Sequence, residues 1–579
     1  MNKLKYKPLP LFFLMVMILG QACKKDKLNF EADNRVLTEN RINSTARVIN
    51  LALYNQVIAN GDSLTSFLTP SPTPGSPPKL PGTSYFPNNG YLTKIWNVPQ
   101  DLFNAQEIVK LDFMTRSYQA TLGNDIKTEV KNDYNNPTDY FLMPTFGMEG
   151  QPEVVPIKRG VAAPSKPDHF KIRIVNLSGK IKVPGFNSSG ALEDLTGSVS
   201  LAYSDGSLVN PKTNNISSAT QTSEYIEVPY GTYQFKVLMQ DGRQMPALGS
   251  ELNQYTLLDP PTSTIPKDMM NSTALTYAPI QTYQPGGIYT ILIAPQRFNY
   301  LINENSETAD TYQNSFQILN DNSPAVNNTY FRIQGVNALN TAAVSFRVDG
   351  KTIATDLGFG ASGAYSNFIQ GTHTIEAIDA SGKVIASVTQ VLRPAQNYTA
   401  WLSPDAAGGP KLLLVANDLS GATYSGGLAQ EDATYARNQY RYFFFKRFLN
   451  LSTGNPYITF TLNNGQSISS GDDNPNAGVN LQPGMPLFER PYVSSSYEQN
   501  PYEIMAYRSK PNVVPGIWAS DIEVLKSDAF IANKDLYLRP ARALPVHEPG
   551  IYTLSLIGQS GTGSTPATKA KMIIIKHNK

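Results

Sequence analysis

The chain has one cysteine in 579 residues, so no intrachain disulfide can form. Its four histidines, His169, His373, His547 and His577, are scattered and offer no zinc-type ligand spacing. Charge is scarce: 16% of residues are Asp, Glu, Lys or Arg, and 48 basic side chains nearly balance 46 acidic ones. That balance leaves no basic field for nucleic acid and excludes an acidic disordered tail or a charge-laced coiled coil. Past the N-terminus there is no apolar run of membrane-spanning length. What is abundant is Tyr (31 residues), Gly (41) and Pro (42), a mixture suited to short strands and turns.

The N-terminus reads as an export segment and not as part of the fold. Lys3, Lys5 and Lys7 precede a 12-residue apolar run, residues 9–20, too short to span a bilayer that needs about 20. Ala22 and the sole cysteine, Cys23, follow at once. The arrangement resembles a bacterial lipobox, loosely, because Gly20 and not Leu19 stands three residues before the cysteine. It implies cleavage after residue 22 and acylation of Cys23. Lys24, Lys25, Asp26 and Lys27 then begin a polar tether over residues 23–43. Such starts resemble those of Bacteroidota-type surface lipoproteins, and Lys24 in place of Asp favours the outer membrane, on either face. Residues 1–22 hold three Lys and no acid, which leaves 45 basic against 46 acidic side chains in the rest. The expected membrane partner is therefore reached through the N-terminal lipid alone.

Four segments repeat one pattern: an apolar strand ending on Asn50, Asn176, Asn337 or Asn450, with Arg47, Arg173, Gln334 or Arg447 three residues earlier. A second alternating strand follows, clearest at Val344–Val348 before Asp349 and Gly350, and at Tyr457–Leu462 before Asn463, Asn464 and Gly465. Period-2 alternation running into such turns is a half-buried strand entering a tight hairpin. Closing strands carry Tyr289-Thr290, Tyr398-Thr399 and Tyr552-Thr553, with Tyr140 as the counterpart in the first copy. The Asn positions lie 126, 161 and 113 residues apart, which implies one core with unequal insertions and not a fixed-period solenoid.

The pattern predicts an all-β chain of tandem immunoglobulin-like β-sandwiches with long insertions. The expected bounds are 44–150, 168–300, 329–418 and 440–579, the last with an insertion at about 466–548. Polar linkers are expected at 151–167, 303–328 and 419–439. Helix is expected only in short pieces, residues 100–118 suiting it best. The Asn ending each opening strand reads as a turn residue bonded to nearby backbone or left-handed.

Residues 330–416 resemble a domain family of unknown function found in Bacteroidota surface lipoproteins. The resemblance rests on Gly335 to Asn337, Val344 to Gly350, Ser362 to Tyr365, Gly371 to Thr374, and Tyr398 with Thr399. It implies an immunoglobulin-like sandwich without known catalysis and brings no functional residues with it.

Chemistry is thin. Gly358, Gly360 and Gly363 match a dinucleotide fingerprint as a string, but a strand and not a helix follows, so no cofactor is expected. Asp472, Asp473 and Asn476 cluster oxygen ligands without the ordered spacing of a calcium loop and read as a solvated turn. No catalytic residue or metal site is assigned, and the chain reads as a non-enzyme. The remaining candidates are aromatics in the last insertion: Tyr492, Tyr497, Tyr502, Tyr507 and Trp518. Aromatic faces beside amides suit sugar rings, although the same residues could pack the insertion onto its sandwich. The sequence thus points to a non-enzymatic envelope lipoprotein that displays binding modules toward a glycan, surface protein or matrix. The alternative is an accessory subunit that captures glycan for an outer-membrane uptake complex.

Overall fold

The computed structural model describes residues 41–66, 82–116, 121–144, 148–182, 194–248, 280–301, 308–322, 324–420, 444–469, 473–494, 501–537, 544–561, 564–565 and 567–579. These residues form strands and short 3-10 turns, with no α-helix among them. None of their elements is a helix long and apolar enough to cross a membrane. Two compact units result, Met1–Met143 with Pro152–Arg159, and Pro144–Gln151 with Gly160–Lys579. The first unit holds one two-sheet sandwich and the second holds three.

All four sandwiches share one topology in their first sheet. The opening strands, Asn43–Asn50, His169–Asn176, Tyr330–Asn337 and Phe444–Asn450, lie in the middle of it. Each pairs antiparallel with a flanking strand: Ile95–Pro99, Ile226–Pro229, Ser366–Ile369 and Tyr492–Ser494 respectively. On its other side each pairs parallel with the closing strand: Thr138–Leu142, Ile288–Leu301, Asn397–Pro404 and Gly550–Ile557. An antiparallel edge strand completes each sheet: Val154–Lys158, Thr308–Asn320, Pro410–Asn417 and Lys571–Lys576.

The second sheets are four-stranded in the first and third sandwiches and five-stranded in the fourth. In the second sandwich this layer is broken into two-stranded pairs, Val199–Ala202 with Lys236–Met239 and Gly231–Tyr233 with Gln281–Tyr283. Alternation places the cores. In the third sandwich Val344, Phe346 and Val348 are buried against Phe331, Ile333 and Ala400, while Ser345 and Arg347 between them are part-exposed.

Three expectations need correction. The first sandwich runs past residue 150, because Val154–Lys158 is its edge strand, with Val155 and Ile157 buried. The second runs past residue 300 to Asn320 in the same way. Both segments read as linkers because one carries Pro156 and the other many amides, which an edge strand tolerates better than a central one. Of the stretch 100–118 expected to suit helix, the described residues 100–116 are not α-helical: Gln100–Leu102 is a 3-10 turn and Ile108–Arg116 a strand. Buried Val109, Leu111 and Phe113 alternate there, a period-2 signal that outweighs the helix-tolerant composition.

The repeated Asn is a clasp inside the sandwich. Asn50, Asn176, Asn337 and Asn450 are all buried, and none adopts a left-handed backbone. Their side-chain oxygens accept the backbone N–H of Tyr54, Ser178, Leu339 and Ser452. Their amide nitrogens donate to carbonyls of Tyr54, of Gly197 and Ile216, of Leu357, and of Asn455 and Leu481. A single amide thus ties the end of the opening strand to the chain crossing toward the second sheet.

The closing-strand Tyr performs a related task. The hydroxyl of Tyr289 accepts from the Gln284 N–H, that of Tyr398 from Arg393, and that of Tyr552 donates to the Glu548 carbonyl. Gly287 and Gly550 stand two residues before their Tyr because the ring folds back over them. A Cβ at Gly550 would meet the Tyr552 ring at 2.7 Å, and one at Gly287 the Tyr289 ring at 2.5 Å.

Candidate functional site

The five candidate aromatics of the last sandwich divide into separate groups. Tyr492 is buried in the first sheet, where its ring lies under the Arg447 guanidinium and its hydroxyl accepts the Asp418 N–H. Tyr502 is buried with the core and bonds His547 Nδ1 at 3.1 Å. These two pack the insertion and cannot meet a ligand. Tyr497 and Cys23 lie outside the described residues. Tyr507 and Trp518 are brought together, as directly opposed residues of the strands Glu503–Lys510 and Val513–Trp518. Opposed residues of an antiparallel pair share one face of the sheet.

Register fixes which face that is. Ile504 and Ala506 point into the core, as do Ile458 and Phe460 of the neighbouring strand. Tyr507 therefore lies on the opposite face of the sheet with Met505, Ser509, Thr459 and Thr461, those four being buried. The turn of Asn463, Asn464 and Gly465, all with positive φ, curls over this face. There the Asn464 N–H meets Met505 Sδ at 3.3 Å, and Gly465 lies against Tyr507 and Pro515. The result is an aromatic ledge with Tyr507 half-buried at its back and Trp518, 47% exposed, at its rim. Ser509 and Thr459 bond each other at 3.0 Å beside it, and Asn480 donates its N–H to Thr459.

The edge strand carrying Trp518 is unusually apolar for an exposed one. Val513, Val514 and Ile517 are all exposed, Ile517 by 78%. Hydrophobic periodicity could not reveal this, since Val-Val-Pro-Gly-Ile-Trp reads as core; only the sheet order, which leaves this strand at the rim, puts it in water.

A second cluster gathers several titratable groups where the second and fourth sandwiches meet. Lys236 Nζ donates to Glu548 Oε1 at 2.7 Å, Tyr537 bonds the same oxygen, and Lys576 lies 3.7 Å from Oε2. Burial alone would raise the Glu548 pKa, but the two ammonium groups hold it at about 2. Burial draws Lys576 down to about 8 despite that carboxylate. His547 is pushed down to about 3 by burial and by the nearby Lys446, itself buried beside the rings of Tyr502 and Phe530. With every member but the part-exposed Lys576 buried, the cluster is a fastening between sandwiches. Among the described residues no group of three or more His, Cys, Asp or Glu is placed to hold a metal ion. Asp473 is buried, and Asp472 lies outside the described residues.

Comparison with known proteins adds little beyond the fold. No curated protein matches the chain. A solved structure, described as alpha-glucan recognition by family 41 carbohydrate-binding modules from streptococcal virulence factors, is 12% identical to it. That likeness covers 42% of this chain and 96% of the other with a TM-score of 0.10, too weak a superposition to speak to binding. Residues 332–426, spanning most of the third sandwich, match the model of a domain of unknown function, DUF4397.

Proposed function

We propose that this is a non-enzymatic envelope lipoprotein, anchored through Cys23, whose tandem sandwiches present binding surfaces, and that the ledge of Tyr507 and Trp518 contacts a glycan. The observation that carries the reading is this aromatic pair, set side by side on the face of the sheet away from the core, with the exposed Asn464 next to it. Sugars offer C–H faces to such rings and hydroxyls to such polar groups. The site belongs to strands and not to a loop, so little ordering is needed on binding.

A glycan array probed with the full chain, followed by titration calorimetry, tests the ledge. Replacing Trp518 with Ala should weaken binding by about 10-fold or more, as loss of a stacking anchor does. Unchanged affinity in both Trp518→Ala and Tyr507→Ala chains would remove the ledge from the proposal. The anchor has its own test: Cys23→Ser should move the protein from the membrane to the soluble fraction and abolish incorporation of labelled fatty acid. A wild-type chain without lipid mass sinks that half alone.

A further inference from the structure

The segment Lys576–Lys579 touches all three sandwiches of the larger unit. Lys576 Nζ bonds the Gln234 side chain of the second sandwich at 2.9 Å as well as facing Glu548 of the fourth. Asn578 accepts the Ile551 N–H within the fourth sandwich. The backbone of Lys579 donates to the Thr232 carbonyl and accepts from the Gln234 N–H, so the segment adds to the second sandwich as a short strand. Between them His577, 1% exposed, reaches into the third sandwich.

The hydrogen bonds around His577 have one direction. Arg447 of the fourth sandwich can only donate, and its Nη1 meets the Asn417 side-chain oxygen at 3.3 Å. The Asn417 amide nitrogen must then donate, and it does so to the Tyr365 hydroxyl at 3.1 Å and to Thr399. Tyr365, with an acceptor site filled, gives its own proton to His577 Nδ1 at 2.8 Å. That leaves the imidazole proton on Nε2, 2.7 Å from the Thr553 hydroxyl. The Gln334 amide nitrogen also faces Nδ1, at 3.5 Å. The relay runs from one sandwich into its neighbour and back, and it requires a neutral imidazole.

We infer that His577 makes the junction of these sandwiches an acid-labile clasp. A proton arriving at Nδ1 meets the Tyr365 hydroxyl proton and the Gln334 N–H₂, so the relay must reverse or break. The new cation would sit near two guanidinium groups, those of Arg447 on the opening strand of the fourth sandwich and Arg332 on that of the third. The other titratable groups packed there are Tyr365, Tyr492, whose hydroxyl meets the Asp418 N–H, and Lys576 with its partner Glu548. None of the groups bonded to the ring is a carboxylate that would welcome the charge. Burial, with Arg447 and Arg332, holds the imidazole down to about 3. Separating the sandwiches returns the ring to water, where a histidine pKa is about 6.5. The junction is therefore intact above about pH 6.5 and loses stability progressively as pH falls from there toward 3.

The test is hydrogen exchange of the full chain read by mass spectrometry, corrected for intrinsic rates. Between pH 7 and 4.5 the amides of Gln234 and Lys579 should open on the order of 10- to 100-fold more often, about the factor that two pH units below the free pKa permit. Amides inside the third sandwich, at residues 346–348, should hold. Replacing His577 with Gln, which can accept from Tyr365 and donate to Thr553 without titrating, should remove most of the pH dependence of junction exchange, leaving only what His547 contributes. Equal protection of the wild type at both pH values overturns the inference, as does a His577→Gln chain that opens as steeply as the wild type over the same range. Should that variant fail to fold, Tyr365→Phe decides: with no hydroxyl proton facing Nδ1 the folded ring accepts a proton more readily, so the rise in opening between pH 7 and 4.5 should shrink, and an unchanged pH dependence counts against the clasp.

Discussion

The first and fourth sandwiches place an arginine at the same point of the same topology and use it in opposite ways. Arg47 and Arg447 both stand three residues before the clasp Asn, on the outward face of the first sheet, and both are buried. Arg47 turns to its own closing strand, where it forms a bidentate pair with Asp139 at 2.9 and 2.7 Å, and Arg159 joins at 2.6 Å. In the fourth sandwich the residue in register with Arg447 is Thr553, which carries no charge. Arg447 reaches instead to the Ala416 carbonyl and the Asn417 side chain of the third sandwich. One exchange, Asp for Thr on the closing strand, thus separates a sandwich that neutralises its arginine internally from one that spends it on a neighbour. The second sandwich is intermediate: Arg173 bonds Thr290, and Thr290 donates on to Asp321.

Replacing Asp139 with Asn probes the difference most severely. It leaves the buried Arg47 and the part-buried Arg159 without their carboxylate, which should cost about 3–5 kcal/mol. Urea unfolding with exchange read at residues 46–50 should show that loss in the first sandwich, with the second unit unaffected.

Acid should act on the other side of the comparison. All four histidines lie outside the first sandwich, whereas His547 and His577 are buried neutral in the fourth. Each folded pKa is near 3, so their contribution is whole above about 6.5 and is lost as pH falls toward 3. At pH 5 that amounts to about 2 kcal/mol from each, and calorimetry should find the fourth sandwich melting earlier while the first is little changed.

Arg447→Met is milder. It should release about 2 kcal/mol of charged hydrogen bonding at the junction, seen as faster exchange at residues 416–418 with the fourth sandwich's own core amides unmoved. If that core unfolds instead, Arg447 serves cohesion as Arg47 does and the contrast collapses. The smallest effect is at the ledge, where Trp518→Ala should leave stability within about 0.5 kcal/mol, because its ring supports no core.

Much of the repeated core was legible because it is local. The Asn, the residue three before it, the alternating second strand and the Tyr-Thr of the closing strand are spaced by backbone geometry, and each occupies one register position in every copy where it occurs. The first copy was faint since its closing strand departs from the motif: Thr138 and Asp139 stand where the others have Tyr and Thr. The aromatic candidates could not be sorted the same way. Tyr492, Tyr502, Tyr507 and Trp518 sit in similar Pro- and Ser-rich surroundings, and whether such a ring is inside or outside depends on strand order and register, which join residues far apart in the chain.

Composition and period-2 patterning by themselves determined an all-β chain of repeated sandwiches, since alternation and turn chemistry are imposed by the backbone over a few residues. Where the strands of each sheet lie, which aromatics meet water, and how Lys576–Lys579 fastens three sandwiches were decided only by the tertiary structure. Those outcomes rest on pairings across hundreds of residues, such as Lys236 with Glu548 and Tyr365 with His577. Such contacts are selected by burial and electrostatics after the local structure has formed, so no spacing along the chain records them.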